Sequence, residues 1–281
     1  MLTSLLVRGD AQADPMPRVR GFDDLYDHMQ VVFRRRQVVM IAGRPGHGKS
    51  LVALALSNGW AEQGRSVLYF SADSGPDEQV QRLVAHRTGM PVGDVEDCAD
   101  SAPRYVHDEL AAVAGKLRFH FGPITGHGLD NEVMAHVMAH NAFPDVIVID
   151  NLQDMEYAES GYHEQTQFMV HLKTLSEVTG SLVLVLHHAS ETSALGDTGS
   201  PPPRAAILNK LSQKPQVILT VAASPAIRDG GSSTMRIAAV KNRTGRQKED
   251  GSLFAQLAVD FPTMRVMASG PRALGSGRES A

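Results

Sequence analysis

The segment Gly43-Arg44-Pro45-Gly46-His47-Gly48-Lys49-Ser50 constrains this chain more than any other feature. It follows an apolar run at 38–42 and leads into an amphipathic stretch at 50–62, so it reads as a strand, a tight glycine-rich turn and a helix. Glycines at this spacing let the main chain curl until successive N–H groups face one point, and the helix that follows aims its positive end at the same point. A polyphosphate satisfies both. Lys49 is then expected to reach the β- and γ-phosphates as a point charge, and the Ser50 hydroxyl to coordinate a metal. The predicted nucleotide-binding set is Gly43, Arg44, Pro45, Gly46, His47, Gly48, Lys49, Ser50 and Leu51, with ATP and Mg²⁺ as cofactors.

The rest of the chain supplies the fold such a turn requires. Apolar runs at 38–42, 67–71, 117–121, 146–149, 182–186 and 217–221 alternate with longer amphipathic segments at 50–62, 77–87, 130–141 and 163–179. Strands that are apolar throughout, separated by helices, indicate a parallel sheet covered on both faces. Past residue 234 the texture changes: 235–240, 253–259 and 264–267 are strand-like with no helix between them, which predicts an antiparallel extension. Residues 1–20 read as an N-terminal arm or linker, 21–268 as one α/β domain, and 269–281 as a flexible tail. The Gly, Ser and Pro content of 190–204 reads as a mobile loop.

Composition narrows the partners. Lys and Arg total 27 against 31 Asp and Glu, so a net charge of -4 offers nucleic acid no global attraction and any polyanion site must be local. No apolar run is long enough to span a membrane, and the N-terminus lacks the basic leader of a signal peptide. One cysteine, Cys98, excludes an internal disulfide framework and suits a reducing compartment, so a cytoplasmic protein without membrane contact is expected. The dozen histidines are scattered without ligand spacing, which argues against zinc.

A second chemical signal is the run Asp145-Val-Ile-Val-Ile-Asp150, an apolar strand ending in a carboxylate. Beside the glycine-rich turn, Asp150 becomes the candidate that holds Mg²⁺ through water, with Ser50 as its direct ligand.

These motifs resemble those of DnaB-type replicative helicases. The opening Ala42-Gly-Arg-Pro of the turn is typical of that family; 67–74 resembles its strand ending in F-S-L-E-M, with Asp73 at the Glu that polarises the attacking water; 149–154 resembles I-D-Y-L-Q-L; and Val240-Lys-Asn-Arg-Thr-Gly245 resembles K-x-R-x-G. The matches occur in the family's order across 38–266. The resemblance implies a RecA-like P-loop NTPase core, a mostly parallel sheet flanked by helices, working as a homo-oligomeric ring, a hexamer, on single-stranded DNA. It implies that Lys241 and Arg243 reach into the adjacent subunit's nucleotide site, where a cation supplied in trans can be worth ~10³ to 10⁵ in rate. His187 or His188 falls where the family carries a γ-phosphate sensor, and the catalytic set is taken as Lys49, Asp73, Asp150, His187, Lys241 and Arg243. Arg204, Lys210 and Lys214 fall at the family's DNA-binding loop.

The departures also carry expectations. Only 42 residues precede the turn, so the family's N-terminal domain is expected to be absent and primase coupling with it. Asp73 is one methylene shorter than Glu, which predicts slow hydrolysis. Glu156, Glu159 and Glu164 make the stretch after Asp150 unsuited to a phosphate backbone. Three activities stay open at this point: a DNA helicase or single-stranded DNA translocase; a RecA-like DNA-binding ATPase, such as a recombination mediator or assembly switch, that does not unwind; and a metal-dependent nuclease built on Asp73, Asp150 and Asp154. The first two leave room for replication or recombination proteins as partners.

Overall fold

The computed structural model describes residues 14–156, 162–190, 199–223 and 233–267. Nine strands form one sheet in the order β3-β2-β4-β5-β1-β6-β7-β8-β9. The first six, β1 (Val38–Gly43), β2 (Val67–Ser71), β3 (Leu117–Phe121), β4 (Val146–Asp150), β5 (Leu182–His188) and β6 (Val217–Ala223), are mutually parallel. The last three, β7 (Ser233–Asn242), β8 (Phe254–Asp260) and β9 (Arg265–Met267), continue it antiparallel, as the change in sequence texture predicts.

The continuous apolar strands follow from burial on both faces, where alternate residues enter different cores. Val39 and Ile41 of β1, Val67 and Tyr69 of β2, Val146 and Val148 of β4, and Leu182, Leu184 and Leu186 of β5 join one cluster. Val38 and Met40, Leu68 and Phe70, Ile147 and Ile149, and Val183 and Val185 join the other. Each such side chain contributes about 1.5–3 kcal/mol when fully removed from water.

Helix α2 (Lys49–Glu62) belongs to the first core and is buried nearly all round, so it shows no polar face. It is covered by the segment that precedes β1, which includes helix α1 (Asp23–Asp27): Met16, Val19, Phe22, Leu25, Met29, Val31 and Phe33 are all buried there. The part of the expected arm that is described, residues 14–20, is therefore packed into the core at Met16 and Val19. Trp60 closes this contact. It is fully buried, meets Phe33 edge-on with centroids 5.5 Å apart, and donates from Nε1 to the carbonyl of Pro17 at 3.0 Å.

Helices α6 (Gly126–His140) and α7 (Tyr162–Thr179) supply Leu129, Val133, Met169 and Leu172 to the second core. Between β2 and β3 the chain forms α3 (Pro76–Thr88), α4 (Val95–Ser101) and α5 (Pro103–Ala114), the last two in a stretch for which no element is expected above. They enclose a small separate cluster of Val84, Ala85, Val95 and Val106. The expected mobile loop falls largely on 191–198, and the tail on 269–281, which lie outside the described residues. Among the described residues no helix is long and apolar enough to cross a membrane.

Truncating the indole removes the largest fully buried side chain between α2 and the N-terminal segment. Trp60→Ala is expected to lower unfolding free energy by about 3–5 kcal/mol, measured by urea denaturation followed by far-UV circular dichroism.

Candidate nucleotide site

Strand parity and strand order build the site. The chain leaves β1 toward β2 on one side and returns from β5 to β6 on the other, so a crevice opens at the C-terminal end of β1, where this kind of sheet places ligands. The glycine-rich turn enters there. Gly43 must approach β6 closely: a Cβ on it would stand 2.9 Å from the carbonyl oxygen of Val221 and 2.7 Å from its Cγ2. Gly48 adopts the left-handed conformation at φ 85°, and a Cβ there would meet Met235 Cε at 2.3 Å. Gly48 is also the N-cap of α2 and no side chain caps that helix, which leaves its first-turn donors for a ligand.

Lys49 is buried, and its ammonium donates to the carbonyls of Gly43 at 3.1 Å and Arg44 at 3.0 Å. Burial pushes its pKa down to about 8, against the raising effect of Asp150 and Asp73. Across the crevice, Ser50 donates its hydroxyl to Oδ1 of Asp150 at 3.2 Å, and Tyr69 donates to Oδ2 at 2.6 Å. Burial raises the Asp150 pKa, opposed by these two hydrogen bonds and by the charges of Arg82 and Lys49. Asp150 thus stands at the end of β4 and next to Ser50.

These groups line a cleft of about 280 Å³ together with Pro45, Gly46, Asp73, Asn151 and His188. Asp73 therefore lies at the cleft, on the turn after β2. Of the two histidines, His188 and not His187 borders it. His187 has the parity of Val183 and Val185, points into the second core and is fully buried. His188 has the parity of Leu184 and Leu186, on the α2 side; its Nδ1 lies 3.4 Å from Lys49 Nζ and its Nε2 lies 3.4 Å from Asn151 Nδ2. Of the two candidates for the γ-phosphate sensor, His188 is therefore the one at the cleft, and His187 lies away from it.

Several residues at the cleft are missing from the sequence reading. Arg82 of α3 reaches in, donating to Ser74 Oγ at 3.1 Å and pairing with Glu78. Tyr69 holds Asp150 from outside the lining, and Phe261 and Met264, from the turn between β8 and β9, also line the cleft, Phe261 beside Gly48. Tertiary folding alone brings these together; the i,i+4 spacing of Glu78 and Arg82 is the only local signal.

Lys241 and Arg243 lie elsewhere. Lys241 pairs with Ile218 in β6, and Ile218 pairs with Met40, about 10 Å of strand short of the glycine-rich turn. Lys241 Nζ donates to the carbonyls of Ser212 and Gln213, both at 3.0 Å. Neither residue lines the cleft of its own chain. Of the expected DNA contacts, Arg204 is paired with Glu249, while Lys210 and Lys214 belong to the short helix Leu208–Gln213 and its C-cap. Among the described residues no group of three or more His, Cys, Asp or Glu is arranged to hold a metal by itself, and Asp73, Asp150 and Asp154 make no such group.

A RecA-like sheet with a glycine-rich turn, a lysine, a hydroxyl and a strand-end carboxylate around one cleft defines a P-loop nucleoside-triphosphate site. The chain belongs to the AAA domain family, whose profile matches residues 23–194. Its fold is similar to that of a solved structure described as an ATPase domain, at 17% identity and TM-score 0.73, covering 96% of each chain. It is also similar to a structure described as a DnaB-like replicative helicase and its interactions with primase, at 18% identity and TM-score 0.73, covering 94% of this chain and 66% of that one. No curated protein matches the chain.

The buried ammonium sets a pH dependence. In the free cleft Lys49 is charged below about pH 8 and neutral above it, whereas phosphate oxygens favour the charged form. Binding above that pH therefore takes up a proton. The affinity for ATP is expected to be flat up to about pH 8 and then to fall by up to roughly tenfold per pH unit, read by titrating a fluorescent analogue at fixed ionic strength.

Proposed function

We propose that the chain is a Mg²⁺-dependent ATPase that drives a DnaB-like helicase or single-stranded DNA translocase, its protomers assembled in a ring, a hexamer, whose nucleotide sites lie between neighbours. The observation that carries this reading is the pairing of Ser50 with Asp150 beside Lys49, since these are the groups that hold Mg²⁺ and the terminal phosphates in P-loop enzymes. The donor set fits that cofactor: a hydroxyl and a carboxylate for a hard dication, main-chain amides and an ammonium for phosphate. Mg²⁺ held by Ser50 and Asp150 would supply positive charge to offset that developing on the transferred phosphoryl group. Lys49 then holds that group in place, Asp73 orients the attacking water, and His188 senses the γ-phosphate from the end of β5.

The distance of Lys241 and Arg243 from their own cleft supports a shared site, in which Lys241 would exchange its two carbonyl partners for a neighbour's phosphates. DNA contact is assigned to Arg204, Lys210 and Lys214, with Arg204 reduced by its pairing to Glu249. Such contact is electrostatic and therefore weakens steeply with salt. Other replication proteins are proposed partners, by likeness to the helicase described with primase. The short Asp73 favours a second reading, a DNA-binding ATPase that turns over slowly and does not unwind.

ATP hydrolysis stimulated severalfold by single-stranded DNA, with strand displacement and rings in negative stain, is the expected result; stimulation without displacement selects the second reading. Lys49→Ala is expected to abolish nucleotide binding. Arg243→Ala is expected to keep binding and lose ~10³-fold or more in turnover. Mixing these two inactive variants should restore part of the activity, since an intact Lys49 can then meet an intact Arg243 across an interface. No recovery from mixtures shown to co-assemble would refute the shared site.

A further inference from the structure

Tyr69 is the middle residue of β2 and is fully buried. Its ring packs in the first core against Phe119, with centroids 5.1 Å apart. A phenylalanine would fill that space equally well, so packing does not require the hydroxyl, and a buried hydroxyl is costly unless it is hydrogen-bonded. Its partner is Oδ2 of Asp150, at 2.6 Å, a short contact of the kind made to a charged acceptor.

The register explains why these two meet. Strands β2 and β4 are adjacent and parallel, with Tyr69 opposite Val148 and Ser71 opposite Asp150. Tyr69, Val148 and Asp150 share one parity and face the α2 side, so the phenol extends along the sheet surface to the carboxylate one pleat further on. A carboxylate can rotate about its last bond and present either oxygen. Here one oxygen is taken by Tyr69, and the other is turned to Ser50 at 3.2 Å.

We infer that Tyr69 is a positioning residue for the metal side of the nucleotide site: its hydroxyl holds Oδ2 of Asp150 so that Oδ1 stays aimed at the Mg²⁺ position beside Ser50. The inference rests on the reading of this cleft as a MgATP site. It assigns to a core tyrosine the part that outer hydrogen bonds play around metal-binding carboxylates, where their loss costs on the order of 10- to 100-fold in metal affinity or activity. Burial and the neighbouring Asp150 hold the phenol pKa well above its ordinary value, so the group serves as a fixed donor.

The test compares the full chain with Tyr69→Phe, which keeps the ring, using a fluorescent ATP analogue. Nucleotide affinity is measured in EDTA and then across a Mg²⁺ titration, with circular dichroism to verify the fold. In Tyr69→Phe the Mg²⁺ concentration for half-maximal tightening is expected to rise on the order of tenfold, with affinity in EDTA unchanged. In an Asp150→Asn background the same substitution is expected to have no further effect on the Mg²⁺ response, because the two residues act as a unit. An unchanged Mg²⁺ midpoint in Tyr69→Phe, or an equal shift in the Asp150→Asn background, overturns the inference while leaving the site reading intact. If the wild-type chain binds the analogue with no response to Mg²⁺, the MgATP reading falls and the role of Tyr69 falls with it.

Discussion

Charge burial at the end of β1 governs the site. Lys49 and Asp150 are both withdrawn from water on the α2 side of the sheet, and withdrawing a charge is expensive unless neighbours replace its hydration. Lys49 replaces it with two turn carbonyls, Asp150 with two hydroxyls. The two charges depend on this separate solvation, and each is left with capacity for a ligand. A triphosphate offers Lys49 a better partner than carbonyls, and a dication offers the same to Asp150 and Ser50. For the proposed MgATP ligand the cleft would thus be preorganised for an incoming ion pair, which would lower the reorganisation needed on binding.

The antiparallel extension gives that arrangement its rigidity. Met235 of β7 and Phe261, just past β8, lie against Gly48, so the turn is backed by side chains as well as by β6. Farther along, Arg265 donates to the carbonyls of His86 and Arg87 at the end of α3, and His86 Nδ1 lies 2.7 Å from the carbonyl of Met264. Helix α3 also carries Arg82 into the cleft. The C-terminal strands therefore tie the phosphate turn and the helix bearing Arg82 into one body.

Much of this was legible in the order of residues. The apolar runs at 38–42, 67–71 and 146–149 became strands at those positions, because doubly covered parallel strands need no polar alternation. The same lack of alternation hid the facing of the strand ends. A strand such as Leu182–His188 carries no mark of which face is which, so His187 and His188 are indistinguishable until Leu184 and Leu186 are seen to join the α2 core. Register with β1, Gly43 opposite His188, supplies what periodicity could not. Helix α5 is a different case: Val106, Leu110 and Val113 recur at helical spacing and pack inward, a signal present in the sequence and passed over. Tyr69 and Phe261 left no such trace, since both read as ordinary core residues until the fold sets them at the cleft.

A second group of cations lies away from the cleft and bears on the proposed shared site. Lys241, Arg243 and Arg204 lie close enough for burial, and then the two guanidinium charges, to push the Lys241 pKa down to about 8. Glu249 compensates Arg204, but among the described residues no carboxylate pairs with Lys241 or Arg243. Like charges held together without an acid destabilise an isolated protomer, and the cost falls when a polyanion arrives. In a ring, the phosphates in the neighbour's cleft would be that polyanion. In the proposed ring, nucleotide binding and contact between protomers would then strengthen one another, because the same negative charge would satisfy Lys49 from one chain and Arg243 from the next.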